Sequence, residues 1–145
     1  MTVQASEFQD TAERLAHGTT EGDWRSAMSR AYYAVFHFFL DFFLAQGLDL
    51  GSGAQAHSSL YMGLNNCGEP TVAPIANDVD DLRRSRVLVD YNLNATVKQC
   101  EATRIVQKVE SVVNDFQSLL NTVAVADLVD GVRSYLQSIG RLPRP

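Results

Sequence analysis

The chain has 145 residues, 46% of them hydrophobic and 20% charged, which fits a single globular domain with a sizeable core. Its formal charge of −5 argues against a general binder of nucleic acid or anionic membrane, while leaving room for a small local basic site. The most apolar run, Ala31 to Ala45, falls short of the roughly 20 residues that span a bilayer and carries His37 and Asp41. No basic start leads into an apolar segment at the N-terminus, and Cys67 and Cys100 show no metal, redox or disulfide spacing. A cytoplasmic protein with reduced thiols and no membrane segment is expected.

Taken in order, Thr2 can cap a first helix that runs to about His17, with Val3, Phe8, Ala12, Leu15 and Ala16 on its apolar side. Residues 18–22 form a loop, and Asp23 or Thr20 can cap a second helix. That helix runs from Asp23 to Gln46 without a breaker and stops at Gly47. Trp24, Met28, Ala31, Val35, Phe38, Phe42 and Ala45 draw one apolar stripe along it, and Tyr33, Phe36, Leu40 and Phe43 a second. A helix apolar on two sides is buried by other helices, by a second subunit, or by both.

Residues 47–53 are a glycine-rich connection, in which Leu48-Asp49-Leu50 is expected to pack without forming a strand. A third helix covers Ala54 to Leu64 and ends in turn chemistry before Pro70. Pro74 suits the first turn of a fourth helix, with Asp78, Asp80 and Asp81 early and Arg83, Arg84 and Arg86 late, an order that complements the helix dipole. Its exit is at Asn92-Leu93-Asn94, and a long fifth helix runs from Ala95 to about Asn121. A sixth, from about Ala124 to Ser138, is weakened by Gly131. The expected class is all-α, a helical bundle, with one domain over residues 1–139 and a tail at 140–145.

One position breaks the pattern. Ile75, Val79, Leu82 and Val89 form a core-facing stripe on the fourth helix, and Arg86 fills the gap between Leu82 and Val89. A guanidinium there must be paired or wetted, because an isolated buried charge is very costly. Asp90, four residues on, is the local partner. A structural ion pair and a phosphate-binding arginine, whose planar fork suits phosphate oxygens, are both consistent with this placement. Asp80 and Arg84 are spaced for a solvated salt bridge, which makes Arg83 and Arg84 a charged face. Arg30, Tyr33, His37 and Asp41 lie along a semi-polar strip of the second helix, where a satisfied core or interface role for His37 outweighs a catalytic one. His57 is a cap or surface residue and His17 a helix-end residue. No glycine-rich phosphate loop, metal-ligand spacing or nucleophile elbow is present, so no metal and no cofactor is expected.

Three stretches together resemble a known family. Ser29-Arg30-Ala31-Tyr32-Tyr33-Ala34-Val35-Phe36-His37 resembles the second-helix signature of small stand-alone HEPN domains, the "higher eukaryotes and prokaryotes nucleotide-binding" superfamily. His57, after the glycine-rich connection, resembles the His that opens their third helix. Arg86-Val87-Leu88-Val89-Asp90-Tyr91 is similar to the Arg-x-x-x-Asp-Tyr ending of one branch. The resemblance implies an up-and-down helical bundle of four to five main helices, usually a homodimer, often acting in toxin–antitoxin or antiviral systems beside a small nucleotidyltransferase. Active members are metal-independent RNases that use an Arg followed four to six residues later by a His, two such motifs meeting across the dimer. Carried over, Arg86 is the phosphate-binding arginine. Here Tyr91 stands five residues beyond it, no His falls in the window, Val87 replaces the usual polar neighbour, and Leu93 stands where one branch carries a modified Tyr. A phenol with an intrinsic pKa near 10 is a poor general base at neutral pH.

The sequence therefore predicts a protein that binds a nucleotide, RNA or partner protein at an Arg86–Asp90–Tyr91 dimer cleft without strong catalysis, with Arg83, Arg30 and His37 as further binding candidates. A nucleotidyltransferase antitoxin is the protein partner that the resemblance implies. One alternative is an endoribonuclease toxin using Arg86 with Tyr91 or Asp90, helped by His37. Another is a purely structural interaction module.

Overall fold

Six α-helices and one short 3-10 turn make up the computed structural model, which describes residues 3–145. The helices are α1 (Ala5–Ala16), α2 (Glu21–Ala45), α3 (Gly53–Asn65), α4 (Ala73–Tyr91), α5 (Gln99–Leu119) and α6 (Val125–Ser138), with the 3-10 turn at Pro70–Val72. The class is all-α, as the periodicity predicts. Thr2 lies outside the described residues. The cap of α1 is Gln4, whose backbone N–H donates to the Glu7 carboxylate at 3.0 Å. At the start of α2, Thr20 and Asp23 act together: the Asp23 N–H donates to Thr20 Oγ1 at 3.1 Å, and the Thr20 N–H donates to Asp23 Oδ2 at 3.2 Å.

The core face of α2 departs from the two expected stripes. Met28, Ala31 and Val35 of the first and Phe36 and Phe43 of the second are buried, but Phe38 and Phe42 are half-buried and Ala45 is exposed. The deepest line instead runs through Met28, Tyr32, Val35, Phe39 and Phe43, and neither Tyr32 nor Phe39 lies on an expected stripe. The cause is geometric. A strict four-three repeat drifts by about 20° per heptad on a straight α-helix, so a stripe set at Met28 has rotated off the core by Ala45.

By packing, the chain forms two compact units: Met1–Phe38 with Val79–Val113, and Phe39–Asp78 with Asn114–Pro145. In the first, Gln9 Nε2 donates to the Val106 carbonyl and Gln99 Nε2 to the Ala16 carbonyl, each at 3.0 Å, tying α1 to α5. Ala12, Ala27 and Ala31 are fully buried there beside Val35, Leu82, Ile105 and Val109. Arg25, which no pattern in the sequence marks, is a second tie. Its side chain is 13% exposed. Nη1 donates to the carbonyls of Val89 (2.9 Å) and Asn92 (3.0 Å), Nη2 to that of Ala95, and Nε to Glu21 Oε1 (3.1 Å). Glu21 Oε1 in turn accepts the Val97 N–H at 2.9 Å. The last carbonyls of a helix lack intrahelical donors, and Arg25 supplies them at the end of α4 and into the connection to α5.

In the second unit, α6 packs on α3. Gly131, which lowers the helix propensity of α6, is there because the chain comes too close for a side chain. A Cβ at that position would sit 1.9 Å from the Cys67 carbonyl oxygen. Residues 140–145 fold back on the unit. Gly140, at φ 77°, donates its N–H to the Gln137 carbonyl (3.1 Å), and the Arg141 N–H reaches the Leu136 carbonyl (2.8 Å), a Schellman ending that turns the chain. The turned Arg141 donates from Nη1 to Ser58 Oγ (2.8 Å) and Ser59 Oγ (2.9 Å) on α3. Phe116 fills the centre of the unit, edge-on to Phe39 at 4.8 Å and Phe42 at 5.0 Å. Leu48 and Leu50 are buried without forming a strand.

Two outcomes are expected. Gly131→Ala forces Cβ into a backbone carbonyl that no rotamer change can move, and should cost about 1–3 kcal/mol, read as a lowered Tm by circular dichroism. Arg25→Met strands several carbonyls at once and should cost about 2–4 kcal/mol in urea unfolding. The same cluster sets a pH dependence. The Val97 N–H first, and Arg25 second, hold the Glu21 carboxyl below its ordinary 4.5. Its stabilisation is therefore complete above that pH and is lost as pH falls through the lower folded value. Glu21→Gln should flatten the acid limb of a Tm-against-pH curve, and an unchanged limb would remove Glu21 from the account.

Candidate functional site

Arg86 reaches the site because the stripe around it faces the core. Ile75, Val79, Leu82 and Val89 are all buried, as the spacing predicts, and the Arg86 side chain is 13% exposed. Its guanidinium carbon lies 5.7 Å from the centre of the Tyr32 ring and 5.5 Å from that of Tyr33, so two consecutive aromatic residues of α2 hold the cation from α4. Asp90 is its carboxylate neighbour, as expected, but Nη1 to Oδ2 is 3.7 Å, a loose ion pair rather than a hydrogen bond. The same Oδ2 accepts from Ser29 Oγ at 3.1 Å. Arg86 Nε is buried with no hydrogen-bond partner. The cation is firmly placed and incompletely neutralised.

Arg83 and Arg84 differ. Both bind Asp80: Arg83 Nη2 lies 3.0 Å from Oδ1, and Arg84 Nη2 lies 2.9 Å from Oδ2. The expected solvated face is only half right, because Arg84 is exposed while Asp80 is buried. Two guanidiniums on one carboxylate meet the need that burial creates, and Arg83 is committed to that role. Burial pushes the Tyr32 phenol well above its usual range, against the smaller opposing effects of Arg83 and Arg86, so Tyr32 stays a neutral hydroxyl.

On the strip of α2, the Arg30 guanidinium lies 5.2 Å from the Tyr33 ring centre and 5.6 Å from that of Phe8. The His37 ring lies tilted at 5.1 Å from that of Phe8 and stacked at 6.2 Å on that of Tyr33. The structure thus brings Arg30, Arg86 and His37 around Tyr33. Tyr91 stands apart, 75% exposed and without a hydrogen bond among the described residues, and its exposed neighbours Val87, Leu88 and Leu93 give the end of α4 an apolar surface. Residues 82–109 carry six cations (Arg83, Arg84, Arg86, Lys98, Arg104, Lys108) against two carboxylates (Asp90, Glu101), in a chain of net charge −5. That local excess is a sequence signal that whole-chain charge conceals.

Arg25 is the residue that sequence reasoning missed, and only its Glu21 neighbour four positions earlier hinted at it. It acts on the Arg86 surface by fixing the carbonyls of Val89 and Asn92, which flank Asp90 and Tyr91. Elsewhere in the same unit, α1 and α5 enclose a groove of about 250 Å³ lined by Glu13, His17, Thr103, Gln107 and Glu110 among others. Glu13 shares a hydrogen bond with Glu110, and that bond, with burial and the Glu110 charge, raises the Glu13 carboxyl. Among the described residues no group of three His, Cys, Asp or Glu side chains could hold a metal ion, and no helix is long and apolar enough to cross a membrane. Cys67 and Cys100 are both free.

Comparison with known proteins adds one finding. No curated protein and no solved structure matches the chain. The family model for the HEPN domain matches residues 2–119, which include α1 to α5 and every residue around Tyr33, and leave α6 outside. With most of its length matched, this chain belongs to the HEPN domain family.

Proposed function

We propose that this HEPN-family chain is a cytoplasmic binding protein that seats a phosphate group of an RNA or nucleotide at Arg86, in a cleft completed by a second copy of the chain, without strong catalysis of its own. One observation carries this: the Arg86 guanidinium is fixed over Tyr32 and Tyr33, its carboxylate neighbour is 3.7 Å away and engaged by Ser29, and Nε lacks a partner. An oxyanion arriving there finds a cation already oriented and stripped of much of its water, which is the condition under which a charge-assisted bond is strongest. The positive stretch over residues 82–109 supplies the surrounding field. The exposed Val87, Leu88, Tyr91 and Leu93 support the dimer, since they give α4 an apolar edge for a second subunit to cover. The family's habits extend the proposal to a toxin–antitoxin or defence pair, with a small nucleotidyltransferase as the partner.

Arg86→Ala tests it. Binding of a short fluorescein-labelled single-stranded RNA to the full chain should weaken by about tenfold or more, with the fold retained and the dimer intact by light scattering. A purely structural Arg86 gives the reverse: unchanged binding, a Tm lowered by several degrees, and recovery in Arg86→Met. Cleavage of the RNA in metal-free buffer, abolished by Arg86→Ala, would instead establish the endoribonuclease.

A further inference from the structure

We infer a second phosphate subsite at Arg30, so that the ligand is one carrying at least two neighbouring phosphates, seated one on each guanidinium. This deepens the Arg86 assignment and rests on it. The geometry is a run of alternating rings and cations within one unit. Arg30 lies 5.6 Å from the Phe8 ring centre and 5.2 Å from that of Tyr33, and Arg86 lies 5.5 Å from the same Tyr33 centre and 5.7 Å from that of Tyr32. Two guanidiniums therefore lie against a single phenol ring.

Arg30 is the less satisfied of the two. Among the described residues it has no carboxylate within 4.0 Å and no hydrogen bond, so the two aromatic faces are its only recorded partners. An aromatic face attracts a cation through its quadrupole but leaves the charge unneutralised and the N–H donors in the guanidinium plane unused. A surface arginine with no task would swing out to water or to a carboxylate. This one keeps the Phe8 and Tyr33 rings as its neighbours, and it shares the Tyr33 ring with Arg86. The arrangement fits a ligand whose own charges are spaced along a chain, because such a ligand offers each guanidinium an anion of its own. A ligand with one phosphate would fill Arg86 and leave Arg30 idle. The shared chemistry is a run of phosphates, and either a short RNA strand or a nucleoside triphosphate supplies it.

The test uses the full-length chain and three probes: a short labelled single-stranded RNA, a nucleoside triphosphate and the matching monophosphate, the last two as competitors. The RNA or the triphosphate should bind about tenfold or more tighter than the monophosphate. Which of the two does so identifies the source. Arg30→Gln should weaken the two-phosphate ligand about tenfold, leave the monophosphate unchanged, and for the RNA reduce the slope of log K against log salt by about 0.7, the value for one phosphate contact on a single strand. Arg30→Lys should keep that slope. A merely structural Arg30 moves Tm and not the slope. Equal affinity for the monophosphate, or an unchanged slope and affinity in Arg30→Gln, overturns the second subsite. Loss of all binding in Arg86→Ala beside a silent Arg30→Gln overturns this inference and keeps the Arg86 assignment. Unchanged binding in Arg86→Ala overturns the assignment itself.

Discussion

The Arg86 surface depends on a different arginine. Arg25 sits one turn before Ser29 on α2 and gathers the carbonyls of Val89, Asn92 and Ala95, while its Glu21 partner takes the Val97 N–H. A helix that ends with free carbonyls frays over its last turn, and the last turn of α4 is where Asp90 and Tyr91 are. By supplying those acceptors from α2, Arg25 fixes that turn against the helix that carries Ser29, Tyr32 and Tyr33. The Ser29 to Asp90 bond and the stacking of Arg86 on the two tyrosines then follow at defined distances. One buried cation is used to place another.

The two arginine clusters of α4 show how differently the same side chain can be satisfied. Arg83 and Arg84 share a buried carboxylate, Asp80, and the three groups close on one another. Arg86 faces Tyr32 and Tyr33, with Asp90 held back at 3.7 Å by its bond to Ser29. Aromatic stacking is worth on the order of 1 kcal/mol and fixes orientation, whereas a close carboxylate would also cancel the charge. Of the two guanidiniums at Tyr33, Arg86 has a loosely placed carboxylate, Asp90 at 3.7 Å, and Arg30 has none within 4.0 Å among the described residues.

How far the sequence reveals this follows the range of each interaction. The α4 stripe with Arg86 is legible because a helical period over 15 residues fixes one face, and all four apolar members are buried. The α2 stripe is legible only for its first two turns, since a heptad read over a straight helix accumulates rotation, and Tyr32 and Phe39 take the place of Phe38 and Ala45. Helix propensity makes Gly131 look like a flaw, and the Cys67 carbonyl beside it explains the residue. Arg25 and Arg141 are illegible for a common reason: their partners are backbone carbonyls and hydroxyls more than 60 positions away, and no local spacing encodes them. The family motif, by contrast, is readable as residues, yet it says nothing of what holds them.

That difference bears on catalysis. Phosphoryl chemistry needs a cation for the developing charge and a group that moves a proton. Around Arg86 a cation is in place, and burial pushes the Tyr32 phenol beside it well above its usual range, which keeps it neutral. Tyr91, five residues beyond Arg86, is exposed and has no hydrogen bond among the described residues to orient it. His37, the imidazole of α2, is packed among rings, tilted on Phe8, stacked on Tyr33 and edge-on to Phe36. Under the proposal, a phosphate held at Arg86 would find none of these three groups oriented to move a proton, which is why binding rather than strong catalysis is proposed.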